Sequence, residues 1–191
     1  CYYILGLINL LGPAKRVCGF SQIRDPHSRR YMHPQNPEYG KVMPIETPNN
    51  LAGTIEFADG TLCNILTSSE SIGFNNYMLF CTEGQMDMGD PNNYGEIPVV
   101  STKASRGVQM PLTHAYTDNS RGLGVCDLAY ALRNHREPRC SGERAYHMFE
   151  IAHGIMKSCE TNEIYQMKST CERPAIFEPG ITEYPEMAMD I

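Results

Sequence analysis

The stretch LAGTIEFADGTLCNILTSSE, residues 51–70, constrains the fold of this chain more than any other. Apolar and polar residues alternate on both sides of Ala58-Asp59-Gly60, the pattern of two strands that each bury one face. Glycine stands where a tight hairpin turn needs a positive φ. NNYMLFCTEGQMDMG repeats the device with Glu83-Gly84 at the turn, so at least four strands are expected as antiparallel neighbours. AKRVCGFSQI alternates as a further strand, Ile97 to Thr102 adds another, and EIYQMKST reads as the last.

Helical spacing appears in three places. Tyr3, Leu7 and Leu11, with Ile4, Ile8 and Leu10 beside them, form a first helix that Gly12-Pro13 stops. Asp118 and Asn119 offer an N-cap for a second, with Leu123, Leu128, Ala131 and Leu132 on one face. Ser141 caps a third, in which Ala145, Met148, Phe149, Ala152 and Ile155 make the expected buried stripe. Between Arg24 and Asn50 lies a polar excursion with five prolines, suited to bordering a pocket or a neighbouring subunit. The expected fold class is α+β: an open, predominantly antiparallel sheet with helices packed on one face, in a single domain over residues 1–191.

Composition narrows the function. A hydrophobic fraction of 41% with 20% charged residues describes a globular chain, and 191 residues suffice for a sizeable core. The formal net charge is -6 and the basic residues are scattered, so nucleic acid is not an expected partner. The apolar run from Ile4 to Leu11 is too short to span a bilayer and lacks a basic flank, so a cytoplasmic, non-membrane chain is expected. Eight cysteines are spread without a CxxC pair, which favours reduced, core-filling thiols over a disulfide or zinc framework. His27 and His33, among Arg24, Arg29 and Arg30, are spaced too irregularly for a metal site, and no metal is expected.

Four stretches carry a family resemblance: CYYILGLINLLGP, NNLAGTIEFADGTLCNILTS, CTEGQMDMGDPNN and DNSRGLGVCDLAYALRNHREPRCSGERAYHMFEI. Together they resemble the C-terminal domain of the glucose-fructose oxidoreductase / inositol dehydrogenase / MocA family, over essentially the whole chain. The last block is the distinctive one. The resemblance implies an N-terminal Rossmann domain, absent from these residues, that binds NAD or NADP, and a sheet that completes the substrate pocket and builds a homo-oligomer interface. RGLG, at Arg121 to Gly124, is no GxGxxG, so no cofactor is expected on this chain alone and the fragment is expected to be inactive.

The resemblance also implies site residues. The family's proton-transfer position, a His in Asp-x-Gly-x-His and a Tyr in one branch, falls on Tyr2. Leu5 replaces an Asp often found three residues later. A tyrosine phenol, ordinarily with a pKa near 10, exchanges protons with an alcohol best when a cation stands beside it. Tyr3 lies about 100° further round the helix and is expected to pack in the core. Ser69, Phe74 and Asn75 lie where the family's chain runs past the substrate, and can offer hydrogen bonds and an apolar wall to a sugar or polyol. A solvated strand end is the alternative for these three.

Arg121 can grip a substrate carboxylate or hydroxyl, or serve as a helix cap. His147 is read either as a substrate contact or as a structural group, with it or Glu143 pairing near Asn119 or Arg121. The expected function is the substrate-binding and dimerisation domain of an NAD(P)-dependent oxidoreductase acting on a sugar, inositol or related polyol. The alternative is a non-catalytic assembly module with a sheet-mediated interface.

Overall fold

The computed structural model describes residues 1–70, 73, 75–114, 116–117 and 121–177. In chain order its elements are α1 (Tyr2–Leu11), β1 (Ala14–Gln22), β2 (Asn50–Phe57), β3 (Leu62–Ser68), β4 (Met78–Cys81), β5 (Gly84–Asp87), β6 (Val99–Thr102), β7 (Val108–Gln109), α2 (Leu123–Arg133), α3 (Gly142–Thr161) and β8 (Tyr165–Gln166). The chain divides into two compact units. The first holds Cys1–Leu10, Gly73–Tyr146 and Cys171–Ile191; the second holds Leu11–Ile72 and His147–Thr170.

The α+β class is as expected, but the strands fall into two four-stranded sheets. The second unit carries the order β3-β2-β1-β8 and the first β4-β5-β6-β7, all pairs antiparallel. In the β2–β3 hairpin, Gly60 takes φ 89° and its amide donates to the Phe57 carbonyl at 3.0 Å. The Asp59 carboxylate receives the Thr61 amide at 2.9 Å, so the turn is closed by its own side chain. In the other hairpin Gly84 belongs to the strand, paired with Cys81, rather than to the turn.

Alternation decides what each face of the larger sheet meets. Val17, Ile55 and Phe57 are buried, together with Ile151 and Ile155 of α3. Gly19 and Gly53 sit opposite each other on β1 and β2. A Cβ on Gly53 would come within 2.9 Å of the Ile155 side chain, and one on Gly19 within 2.8 Å, so the two glycines admit the helix to the sheet. On the other face the register aligns Phe20, Ala52 and Leu66 across three strands. Phe20 is 77% and Leu66 82% exposed.

The helices hold surprises. Along α3 the buried residues are Arg144, His147, Met148, Glu150, Ile151, Gly154, Ile155 and Ser158, while Phe149, placed in the stripe by spacing, is 59% exposed. In α2 the buried positions are Asp127 and Ala131, and Leu128 and Leu132 face outward, because the helix turns inward the carboxylate of Asp127. Its N-cap is Gly122; Asp118 and Asn119 lie outside the described residues. Ser141 does cap α3, its hydroxyl accepting the Arg144 amide at 3.4 Å. All eight cysteines are free thiols, but only Cys171 is buried, so they do not fill the core as expected. Among the described residues no helix is long and apolar enough to cross a membrane.

Candidate functional site

The first unit gathers three of the residues singled out from sequence. Tyr2 opens α1 and is 47% exposed, and the Arg121 guanidinium lies 6.0 Å from its ring centroid, within cation–π reach. Arg121 Nη2 donates to Asn92 Oδ1 at 3.2 Å. Asn75 Nδ2 donates to Asp90 Oδ2 at 2.7 Å, and the Tyr3 hydroxyl donates to Asp90 Oδ1 at 2.9 Å.

Tyr3 therefore does more than pack. Its ring meets Tyr77 edge-on with centroids 6.5 Å apart, while its hydroxyl reaches the carboxylate. Burial, then the hydrogen bond to Asp90 and that group's negative charge, push its pKa up, so it remains a neutral donor. The result is a partly exposed polar patch containing a phenol, a guanidinium, an amide and a carboxylate. Such a set can hold a polyhydroxylated molecule and exchange a proton with one of its hydroxyls.

Asp90 and Asn92 were not singled out by residue type, and their signal was present in GDPNN. Aspartate before proline, with asparagine next, is a strong turn sequence. The Asn93 amide donates to the Asp90 carbonyl and the Asn92 amide to Asp90 Oδ1, both at 2.9 Å, which makes the turn. Nothing in the chain's local pattern says that Tyr3, 87 positions earlier, completes the carboxylate's coordination.

Ser69 and His147 belong to the second unit. The Ser69 amide donates to the Asn49 carbonyl at 3.0 Å, and the residue borders a cleft with Arg24, Asp25, Ser28, Arg29 and Glu70. The polar excursion thus does line a depression. Phe74 lies outside the described residues.

His147 is fully buried, and its two ring nitrogens are engaged within the unit. Nε2 accepts the Ala14 amide at 2.8 Å, which leaves the proton on Nδ1, 2.8 Å from Ser169 Oγ. The Ser169 hydroxyl donates onward to Glu150 Oε2. Burial lowers the His147 pKa, only partly countered by the Glu150 charge. For Glu150 burial acts upward, yet the Ser169 hydroxyl, the amides of Lys168 and Ser169 and the Tyr165 hydroxyl together hold it at about 2. The pairing of His147 near Asn119 or Arg121 is thereby replaced by Ala14 and Ser169. Glu143 turns to its own amide and the Ser141 hydroxyl, which lower its pKa.

Gly122 and Gly124 open α2 with no strand ending directly before them among the described residues, and a phosphate cradle needs a strand, a glycine turn and a helix in succession.

The fold has solved counterparts. Levoglucosan dehydrogenase in complex with NADH superposes with a TM-score of 0.65 at 16% identity, covering 87% of this chain and 48% of that one. Aldose-aldose oxidoreductase from Caulobacter crescentus, complexed with glycerol, gives 0.63 at 14% identity over 87% and 45%. An oxidoreductase from Agrobacterium radiobacter, in complex with NAD+, L-tartaric acid and magnesium, gives 0.54 at 11% over 85% and 46%. The chain spans about half the length of these proteins. Its fold is shared with about half of each of these oxidoreductases. No protein-family model and no curated protein sequence matches it.

Proposed function

We propose that this chain is the substrate-binding domain of an NAD(P)-dependent oxidoreductase acting on a sugar, inositol or related polyol, with Tyr2 as the proton-transfer residue. The observation that carries the reading is the patch in which the Tyr2 phenol stands beside the Arg121 cation, while Asn75 and Asp90 present amide and carboxylate groups in the same unit. A polyol hydroxyl would be held by Asn75, and its proton would pass to or from the Tyr2 oxygen as the carbinol carbon gains or loses carbonyl character. The hydride partner is a nicotinamide, which residues outside this chain, in a Rossmann domain, would hold. Ser69 and Phe74 remain substrate-contact proposals, and His147 is proposed as a structural group of its own unit.

The test joins the chain to its nucleotide-binding partner domain and follows NAD(P)H absorbance with a panel of polyols. Tyr2→Phe is expected to lower kcat/KM by roughly a hundredfold or more. Turnover unchanged by Tyr2→Phe sinks the catalytic reading.

A second reading is an assembly module, favoured by the exposed row of Phe20, Ala52 and Leu66. An apolar row on an open sheet face is most simply covered by the same face of a second copy. Sedimentation equilibrium should give a dimer that Leu66→Lys dissociates; a monomer at every concentration rejects it.

A further inference from the structure

Four contacts in the first unit, with the chain link from Tyr2 to Tyr3, close on themselves. From Tyr2 the chain passes to Tyr3, whose hydroxyl donates to Asp90 Oδ1 at 2.9 Å. The same oxygen receives the Asn92 amide at 2.9 Å. The Asn92 side chain accepts Arg121 Nη2 at 3.2 Å, and the Arg121 guanidinium stands 6.0 Å from the Tyr2 ring, which closes the circuit. Asn75 holds the second Asp90 oxygen at 2.7 Å.

We infer that Asp90 is the positioning residue of this patch: its carboxylate, gripped by α1 through Tyr3, sets the turn whose Asn92 holds Arg121 over Tyr2. Three donors converge on one carboxylate, two of them on one oxygen. Pro91 restricts the turn's backbone, so a shift of Asp90 carries Asn92 with it instead of being absorbed locally. Arg121 is an exposed side chain with a long, flexible stem, and among the described residues its hydrogen bond to the Asn92 acceptor is what places it. The consequence is that a cation's position beside the Tyr2 phenol depends on a carboxylate that touches neither group. The inference about geometry is independent of the reaction; its bearing on turnover rests on the reading of Tyr2 as the proton-transfer residue.

The test is NMR on the full chain, following nuclear Overhauser contacts between the Tyr2 ring and the Arg121 side chain. The wild type should show them, Asp90→Ala should lose them, and Asp90→Asn, which keeps the size but one acceptor oxygen only, should weaken them. Methyl signals of Ile8 and Ile155 should stay in place, separating loss of positioning from loss of fold. Contacts that persist in folded Asp90→Ala overturn the inference. If Asp90→Ala does not fold, Asp90→Asn decides, and contacts of undiminished intensity there overturn it equally. In the assembled enzyme Asp90→Asn should lower kcat with KM little changed. Tyr2→Phe without effect on turnover would refute the functional reading and leave the positioning result untouched.

Discussion

His147 Nε2 accepts the backbone amide of Ala14 at 2.8 Å across 133 positions of sequence. The bond joins α3 to the first residue of β1, and the other ring nitrogen continues through Ser169 to Glu150. A buried imidazole used on both sides is a structural strut, and it specifies how the helix lies on its sheet.

His147→Ala should therefore destabilise the chain by about 3 kcal/mol or more, because it leaves a buried amide and the Ser169–Glu150 pair without their partner in addition to a cavity. Urea unfolding measures it; a loss under about 1 kcal/mol would mean that water replaces the ring at little cost.

Acid should weaken the fold in two stages. His147 has a lowered pKa, so below its ordinary value of 6.5 the unfolded chain binds a proton that the folded one refuses, and stability falls as pH drops. Glu150 is held at about 2 from an ordinary 4.5, so its contribution is complete above 4.5 and is lost as pH falls toward about 2. Urea midpoints across this range should decline in both windows, and Glu150→Gln should flatten the lower one. A midpoint independent of pH from neutrality to 4.5 contradicts the His147 assignment.

Asp127, with its side chain 4% exposed, receives Arg136 Nη2 at 2.8 Å and Arg139 Nη1 at 2.7 Å. The Arg139 amide adds a third bond at 2.6 Å. Removing one partner from a buried pair strands the others, so Asp127→Ala should cost about 3 kcal/mol, and Arg136→Ala less because Arg139 remains. Equal losses for the two variants would show that the arginines do not share the carboxylate.

Where α3 meets the sheet, Gly53→Ala should cost about 1–3 kcal/mol by overpacking against Ile155. Truncating Ile155 in the same chain should recover part of that loss, giving a non-additive pair in a double-mutant cycle. Strict additivity would indicate that the Cys18 carbonyl, 2.9 Å from the added Cβ, is the real obstacle.

Both hairpins and all three helices were legible because their signals are local. Alternation, Ala58-Asp59-Gly60 and Ser141 act within a few residues of themselves, and the strands and caps form where those signals stand. The faces of the helices were less legible. Phe149 is apolar at a helical spacing from Ala145 and Ala152, yet it is Glu150 and His147 that turn inward, since Ser169 and the neighbouring amides offer them bonds that water would otherwise supply. Asp127 displaces Leu128 from the interior for the same reason.

The candidate site divides along that line. Tyr2 and Asn75 come from a family resemblance, Arg121 from its planar fork beside a capping pair, and the turn at Asp90 is written in its own residue types. Their assembly was not written there. That Tyr3 binds Asp90, and that Asn92 holds Arg121 over Tyr2, depends on segments 87 and 29 positions apart meeting in space. By itself the sequence determined strands, the β2–β3 turn and the start of α3 at Ser141, whose energies come from neighbours along the chain. Only the tertiary structure decided which polar groups are buried and paired, because the worth of a carboxylate or an imidazole is set by the donors that packing brings to it.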